Sequence, residues 1–354
     1  MTERIIIPSA HVNAVGLVVS LRAAGFTGDI TCLQHKVGQD TLASRFPDLC
    51  ETRFVAIQAP DELQERLLAW YPQERLRVLF TDERFLDVFR DDDRFETVSG
   101  AGLALETTIN KRRFYDFVSD NRLGLVPLTV GSDVSPWSIF GDQFRSRVWH
   151  TWRGLERLPR GGLIQNARDL LAWRSQVDEC ALEDDHWGYQ EQLSSAPEHN
   201  VSVSGWHGAE VHQSIVTRRR GVANGVGWWI ERIEDPDNLT RVARDILSAL
   251  KFEGPFELEF VWDERDLRFK IIELNPRFWM QHRLIQVLTD HALARRCLGH
   301  EARDDVDKDG PRMWFQTDVA ITHPFRTAQH LHHAVLAYPS KGALSAVFRR
   351  KFIN

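Results

Sequence analysis

The sequence predicts an α/β unit with a parallel sheet at the N-terminus, followed by an α+β part built on antiparallel strands. Three observations carry this expectation. Apolar runs of strand length alternate with helical stretches over the first hundred residues. Near residue 100 the pattern changes to a basic amphipathic helix, strands and an Arg/Gly loop. Residues 256–277 then read as a hairpin in which apolar and polar side chains alternate.

The elements follow in order. RIII (4–7) is a short strand, VNAVGLVVSLRAA (12–24) a helix, and DITCLQ (29–34) a second strand. Strand-length runs recur at FVAI (54–57) and LRVLF (76–80), separated by the helical DELQERLLAWY. No GxGxxG follows the first strand, so nothing there reads as a dinucleotide site. KRRFYDFVSDNRLG is a basic amphipathic helix ended by Gly124. Residues 144–192 hold the strand RSRVWHTW, the loop RGLERLPRGG, the helix NARDLLAWRSQV and the strand WGYQEQL. TRRRGVANGVG (217–227), basic and then Gly-rich, reads as a loop. DPDNLTRVARDILSALKFEG is a helix capped by Asp235, Asp237 or Asn238, with Leu239, Val242, Ile246, Leu247 and Leu250 as its apolar stripe. The tail from residue 301 opens with charged residues and continues in helical patterns to Phe352.

Composition excludes several classes. At 354 residues the chain can hold two or three domains, and a hydrophobic share of 43% with 27% charged residues is ordinary for a globular protein. A net charge of -6 argues against nucleic-acid partners. No apolar run reaches the roughly 20 residues of a membrane span, and MTERIIIPSA does not read as a signal peptide. Cys32, Cys50, Cys180 and Cys297 lie far apart without a CxxC, which fits a reducing cytoplasm. The twelve tryptophans read as core and pocket walls. GxSxG and GxxxxGK[ST] are both missing, which disfavours serine hydrolases and P-loop enzymes.

The chemistry concentrates in FELEFVWDERDLRFKIIELNPRF. Alternation puts Glu257 and Glu259 on one face of the first strand. On the second strand, Glu273, Asn275 and Arg277 share a face and Ile272 and Leu274 point to the other. A fold about Asp266 sets Glu259 opposite Glu273 and Glu257 opposite Asn275. Cross-strand carboxylates destabilise one another unless a cation intervenes. An all-oxygen donor set suits Mg²⁺, which shares its shell with phosphate oxygens. Arg277 at the next same-face position can hold a substrate anion. A solvated hairpin face explains the same pattern, and the residues alone leave both accounts open. Just beyond, Gln281 and His282 read either as substrate-facing or as a surface or helix start, and His330 and His333, at i,i+3, as a solvated helix face rather than a metal-ligand pair, since no third ligand is evident nearby.

The segment from Gly254 to Trp279, with its order EF…WD…D…IIELNPRFW, resembles the ATP-grasp carboxylate–amine ligases, in particular the predicted-carboligase branch related to the large chain of carbamoyl-phosphate synthetase. The resemblance implies a pre-ATP-grasp domain over residues 1–100, a small lobe and lid over 101–190, a large lobe with the metal-binding hairpin over 191–300, and a helical extension over 301–354. It implies ATP and two Mg²⁺ ions, with Mn²⁺ a substitute, held by Glu259, Glu273 and Asn275, with Glu257 in place of Glu259 if the register slips. Arg277 is implied beside the acyl phosphate or substrate carboxylate. INKRRFYDFVSDNRLGLVPLT resembles the segment that puts Lys111 on the phosphates. YQEQL resembles the strand joining the lobes, which implies Glu191 at the adenine and Glu198 or Asn200 at the ribose. TRRRGVANGVG implies Arg219 or Arg220 near the γ-phosphate. The sequence departs from the family at the lid: His150 and Thr151 stand where a Lys–Pro pair is usual, and the loop carries Arg153, Arg157 and Arg160 among Gly154, Gly161 and Gly162, which puts His150 and Arg160 at the nucleotide with arginine forks in place of backbone amides as phosphate donors.

The implied reaction activates a carboxylate as an acyl phosphate and couples it to an amine, an amino acid or its derivative. The protein's part is charge neutralisation and positioning rather than a Ser or Cys nucleophile. The lid departure motivates the alternative of an idle nucleotide-binding subunit, and a bicarbonate-dependent carboxylation keeps the fold with another acceptor. Small-molecule substrates and a homodimer are the expected partners.

Overall fold

The computed structural model describes residues 3–34, 41–55, 60–86, 88–89, 93–99, 103–153, 156–193, 196–223, 226–322, 330 and 333–338. Over the N-terminal hundred residues β1 (Arg4–Ile7), α1 (Val12–Ala23), β2 (Asp29–Gln34), β3 (Glu51–Phe54), α2 (Pro60–Trp70), β4 (Leu76–Val78) and β5 (Phe95–Thr97) follow in sequence. The strands form one parallel sheet in the order β3-β2-β1-β4-β5. RIII takes the centre because Ile5, Ile6 and Ile7 are fully buried and serve the cores on both faces. FVAI gives a strand shifted to Glu51–Phe54, with 56–59 outside the described residues, and β5 forms where no strand was expected.

Next come α3 (Leu103–Ile109), α4 (Lys111–Asp120), β6 (Thr129–Gly131), α5 (Trp137–Phe140), β7 (Phe144–Val148), β8 (Trp152–Arg153), β9 (Glu156–Arg157), β10 (Leu163–Ile164), α6 (Ala167–Glu179) and β11 (Trp187–Glu191). Asn110 caps α4 through its side chain, which accepts from the Arg113 N–H at 3.0 Å. The left-handed residue past α4 is Arg122, with φ 54°, rather than Gly124. Gly124 is needed for close packing instead, since a Cβ there would lie 2.6 Å from Ile271 Cδ1. An antiparallel sheet runs β10-β7-β11-β6, covered by Trp173 and Val177 of α6, and β8 and β9 form a separate short hairpin. The expected strand RSRVWHTW thus breaks between Val148 and Trp152, where His150 bridges to Asn110.

The third sheet uses β12 (Asn200–His207), β13 (His212–Ala223), β14 (Val226–Arg232), β15 (Gly254–Asp263), β16 (Arg268–Asn275), β17 (Met313–Phe315) and β18 (Ala334–Leu336), ordered β16-β15-β12-β13-β14-β17-β18. α7 (Leu239–Ala249) covers one face with Leu239, Ala243, Ile246 and Leu247 against Val201, Val203, Leu258 and Phe260. Of its expected caps, Asp235 accepts from the Thr240 N–H at 3.1 Å, and Val242 lies at the edge of the stripe in place of the buried Ala243. α8 (His282–Leu288), α9 (Ala292–Cys297) and α10 (Thr317–Thr322) complete the described helices, and α8 packs on α1 of the N-terminal unit. Among the described residues, no helix is long and apolar enough to cross a membrane.

Two sequence expectations are corrected here. Residues 217–227 are not a loop: β13 and β14 pair across them, with Thr217 opposite Arg232, Arg219 opposite Ile230 and Gly221 opposite Trp229, in a run whose Val, Ile, Thr and Trp residues favour strands. Gly221 sits at a bulge, where a Cβ would meet the Trp228 ring at 2.8 Å. The segment after 301 is not purely helical either: MWF and AVL add two strands to the sheet edge, parallel to each other. The remainder of the expected helical tail, 339–354, lies outside the described residues.

Candidate functional site

The face of the large sheet opposite α7 is polar. Small residues on β12 make its floor: Ser202 lies opposite Glu259 and Ser204 opposite Glu257. On the next strand pair Glu259 faces Glu273 and Glu257 faces Asn275, which is the pairing expected from the sequence. It depends on a β-bulge. Nearer the turn Phe260 faces Ile271, so Ile272 is the extra residue. The expected inward pair Ile272 and Leu274 is therefore corrected to Ile271 and Leu274, buried to 1% and 3% exposure, while the Ile272 carbonyl accepts from the Tyr115 hydroxyl at 2.7 Å.

The carboxylates are buried, which removes the solvated-face account: Glu257 and Glu259 are 6% and 9% exposed. Burial, and then the charge of Glu259, push Glu257 up to about 7. Gln281 donates to Glu257 Oε1 at 2.7 Å and Asn275 Nδ2 to Glu257 Oε2 at 3.1 Å. Arg219 reaches Glu259 at 2.7 Å, and Asn200 Nδ2 lies 3.4 Å from the same oxygen. The Glu259 charge is the main cause of a raised Arg219 pKa. Lys111, at the start of α4, donates to Glu273. Burial works against the Glu273 charge, yet Lys111 and Arg147 outweigh it and hold Glu273 down at about 2. Lys111 is buried as well, and the Glu273 charge overcomes that burial to raise its pKa.

Arg277 lies at the end of the row. It donates to Glu83 at 2.8 Å and to Asn275 Oδ1 at 3.2 Å. Burial opposes its charge, but Glu83 more than compensates and its pKa is raised. Glu83 comes from the turn after β4, at the carboxyl end of the parallel sheet, and the Phe278 N–H donates to Phe80 O at 3.0 Å beside it. Arg84 of the same turn is clasped by Asp82 and lies over the Trp152 ring of β8, 5.0 Å from its centroid. A cavity of about 100 Å³ opens here, lined by Glu83, Lys111, His150, Trp152, Glu273 and Asn275 among others.

Three carboxylates and an amide oxygen on one face form a hard donor set, and at Glu257 the Glu259 charge adds to burial in disfavouring the carboxylate. These residues fit a hard divalent cation.

The structure gathers Glu257, Glu259, Glu273, Asn275, Lys111, Arg219, Arg277 and Asn200 into one region, with His150 on the cavity wall, its ring 2.8 Å from Asn110 Nδ2. It does not bring in four others. Arg220 points to the opposite face with Arg218, and both hold Glu231, because alternation along β13 turns only Arg219 toward the row. Glu191 is buried and spent: it accepts from the Leu128 N–H and pairs with Lys270 at 2.8 Å and Arg265 at 2.6 Å. Glu198 is exposed on a turn, and Arg160 is exposed before Gly161. Residues 154–155 of the expected lid lie outside the described residues. His282 is a core residue, not a substrate contact: it is fully buried, bonded to Asn13 O, and burial lowers its pKa to about 3. His330 packs on Trp229.

Sequence reasoning missed Glu83, Arg145 and Arg147. The alternation in FRSRV contained the signal for the two arginines, which share one face of β7. Arg147 bonds Gln190 at 3.1 Å, and its charge acts on both Lys111 and Glu273. Burial and Arg147 lower the Arg145 pKa, and its Nε finds no hydrogen-bond partner among the described residues. Two half-buried like charges beside Lys111 make a place for a polyanion.

No family model and no curated protein matches the chain. Solved structures do. The ADP complex of PurK, N5-carboxyaminoimidazole ribonucleotide synthetase, is 12% identical, with a TM-score of 0.66 over 93% of this chain and 85% of that one. Biotin carboxylase from Campylobacter jejuni is 14% identical, with a TM-score of 0.62 over 86% of this chain and 74% of that one. The biotin carboxylase domain dimer of Hydrogenobacter thermophilus 2-oxoglutarate carboxylase, solved with MgADP, ADP and bicarbonate, is 11% identical, with a TM-score of 0.63 over 90% of this chain and 73% of that one. The chain has the ATP-grasp fold of these enzymes.

Proposed function

We propose that this protein is an ATP-dependent ligase that activates a carboxylate as an acyl phosphate and couples it to an amine, with an amino acid or its derivative as one substrate. The observation that carries the proposal is the row of buried Glu257, Glu259 and Asn275 with half-buried Glu273 beside Lys111, Arg145 and Arg147, on a fold whose solved neighbours include ADP and MgADP complexes. Mg²⁺, when bound, would neutralise phosphate charge and orient the transferred group. Glu259, Glu273 and Asn275 would hold it, with Glu257 the fourth oxygen donor.

The chain's own residues supply the rest. Lys111, which donates to Glu273 here, would donate to a phosphate oxygen placed beside that carboxylate. Arg145 and Arg147 present guanidinium forks from β7 toward the same anion. Arg219 stands by Glu259 as a further positive charge for the transferred phosphoryl group. Arg277 and Asn275 orient the acceptor carboxylate at the end of the row. His150 and Trp152 wall the cavity and limit access of water. In the reaction a carboxylate oxygen attacks the terminal phosphorus, the bond to ADP breaks, and the amine then displaces phosphate from the acyl carbon.

The test is an ADP-release screen over pairs of carboxylates and amines, with bicarbonate included and mass spectrometry of products. ADP release that needs Mg²⁺ and both acceptors supports the proposal, and amine-independent release with bicarbonate would move it to a carboxylation. The glycine-poor lid, with Arg160 exposed and Gly161 packed on Ser146 O, favours one other reading, an idle nucleotide-binding subunit. ATP binding with no ADP formed from any pair identifies that case.

A further inference from the structure

Two of the four cysteines meet in the N-terminal unit. Cys32 belongs to β2 and stands opposite Thr52 of β3, and Cys50 comes just before β3 in the chain. Both pack into the core beneath α1, with Ala14, Val15 and Leu17. Cys32 is fully buried, Cys50 is 5% exposed, and both are free thiols. Their side chains hydrogen-bond to each other. The Cys50 Sγ also lies 3.9 Å from Ala43 O and Phe46 O, so the short turn before β3 curls over it.

The two thiols differ in access and in charge. A cleft of about 630 Å³ opens at the amino end of the parallel sheet, lined by Arg4, Arg22, Ser44, Cys50 and Thr52 among others. Cys50 is on this wall and Cys32 lies behind it. Arg22 of α1 donates to Leu49 O at 2.8 Å and to Gly28 O at 2.7 Å, which fixes its guanidinium beside Cys50. The bond to Cys32 lowers the Cys50 pKa against the effect of burial, and the Arg22 charge adds to it. The same bond, and then burial, raise Cys32 well above the ordinary thiol value. The pair therefore keeps its proton on Cys32 and favours the thiolate, the nucleophilic form, on Cys50.

We infer that Cys50 and Cys32 form a peroxide-oxidised pair, in which Cys50, on the cleft, is the thiol that reacts and Cys32, behind it, closes the disulfide. The Cys50 sulfur attacks one peroxide oxygen and the O–O bond breaks. Cys50 becomes a sulfenic acid, and the other oxygen leaves as an alcohol, or as water from hydrogen peroxide. The Cys32 sulfur then attacks the Cys50 sulfur, the S–S bond forms and water leaves. Two electrons pass from the two sulfurs to one peroxide, and a thiol reductant returns them. The other cysteines are placed differently. Burial pushes the Cys297 thiol up to about 12, and Cys180 ends α6 in a separate core. Glu83 and the carboxylate row stand at the carboxyl end of the same sheet, so this chemistry is independent of the ligase proposal.

The test treats the reduced full-length protein with hydrogen peroxide, blocks the remaining thiols with an alkylating reagent, and maps the peptides by mass spectrometry. Circular dichroism confirms that the protein stays folded during treatment. The wild type should give a cross-linked Cys32–Cys50 peptide that dithiothreitol removes, formed at least tenfold faster than Cys297 is oxidised. Cys32→Ser should stop at the sulfenic acid, trapped on Cys50 by dimedone, and Cys50→Ser should leave Cys32 unmodified. Oxidation of Cys180 or Cys297 while Cys32 and Cys50 stay reduced would overturn the inference. So would passage of wild-type Cys50 to the sulfinic acid without a cross-link, or oxidation of Cys32 in Cys50→Ser at the wild-type rate. The wild-type map decides alone if a variant does not fold.

Discussion

Replacing Arg219 with methionine should destabilise the protein in a way that Mg²⁺ repairs. Arg219 lies 2.7 Å from Glu259, and its field also reaches Glu257 and Glu273. Removing one partner of a buried ion pair costs about 3–5 kcal/mol, and an exposed pair is worth about 0–1. The Arg219 side chain is 29% exposed and that of Glu259 only 11%, so the loss falls between these limits, at about 2–3 kcal/mol. In a cooperative unit of 150–250 residues that corresponds to a Tm lower by roughly 5–10 °C. Without the guanidinium the three carboxylates face one another with less compensation, and a divalent ion becomes the natural replacement. At a concentration 100 times its Kd, a bound ion restores about 2.7 kcal/mol. The assay is thermal unfolding of wild type and Arg219→Met in MgCl₂ and in NaCl of equal ionic strength, which separates binding from screening. Mg²⁺ should raise the Tm of the variant by more than that of the wild type, and Glu259→Gln added to the variant should abolish the difference. Equal Mg²⁺ shifts in wild type and Arg219→Met, or a variant no less stable in NaCl, would refute the reasoning.

Two other outcomes are expected. Lys270 is buried and pairs with Glu191, Asp263 and Asp266 at 2.7–2.8 Å, so Lys270→Met leaves buried carboxylates with Arg265 alone and should cost about 3–5 kcal/mol in denaturant unfolding; a cost below about 1 kcal/mol contradicts that role. His282, facing Arg283 and His291, has a pKa lowered from 6.5 to about 3 by burial, so the unfolded chain binds a proton in that window that the folded one does not. Stability should therefore fall as pH drops from 6.5 toward 3, by up to about 5 kcal/mol from this group. His282→Gln should flatten that acid limb, and an unchanged slope would show that another group is responsible.

The hairpin was legible because its information is local. Alternation along FELEF and IELN assigns faces, and one turn assigns partners. Even so, the pairing of Glu259 with Glu273 holds through a bulge at Ile272 that no pattern announced. Arg219 and Arg220 could not be separated while 217–227 was read as a loop, since the distinction is which face of a strand each occupies. Gly221 and Gly227 look like loop glycines in sequence, yet a Cβ on either would press on a neighbouring side chain, Trp228 or Ile230, within 3 Å. Glu191 stood where the resemblance places an adenine contact, and its partners Lys270 and Arg265 lie more than seventy residues away. Glu83 was invisible for the same reason: its partner Arg277 is 194 residues distant, and only the fold brings the turn after β4 to the end of the carboxylate row.

The central claim is that the carboxylate row with Lys111 is a Mg²⁺–nucleotide site. Calorimetric titration of Mg–ATP into wild type and Glu273→Ala, with circular dichroism to confirm that both are folded, tests it most directly. Changing a residue that only orients a metal's ligands already costs roughly 10–100-fold. A direct ligand should cost more, so the account predicts binding to the wild type that requires Mg²⁺ and is weakened at least about 100-fold by Glu273→Ala. Equal affinity of the two proteins for Mg–ATP would contradict it.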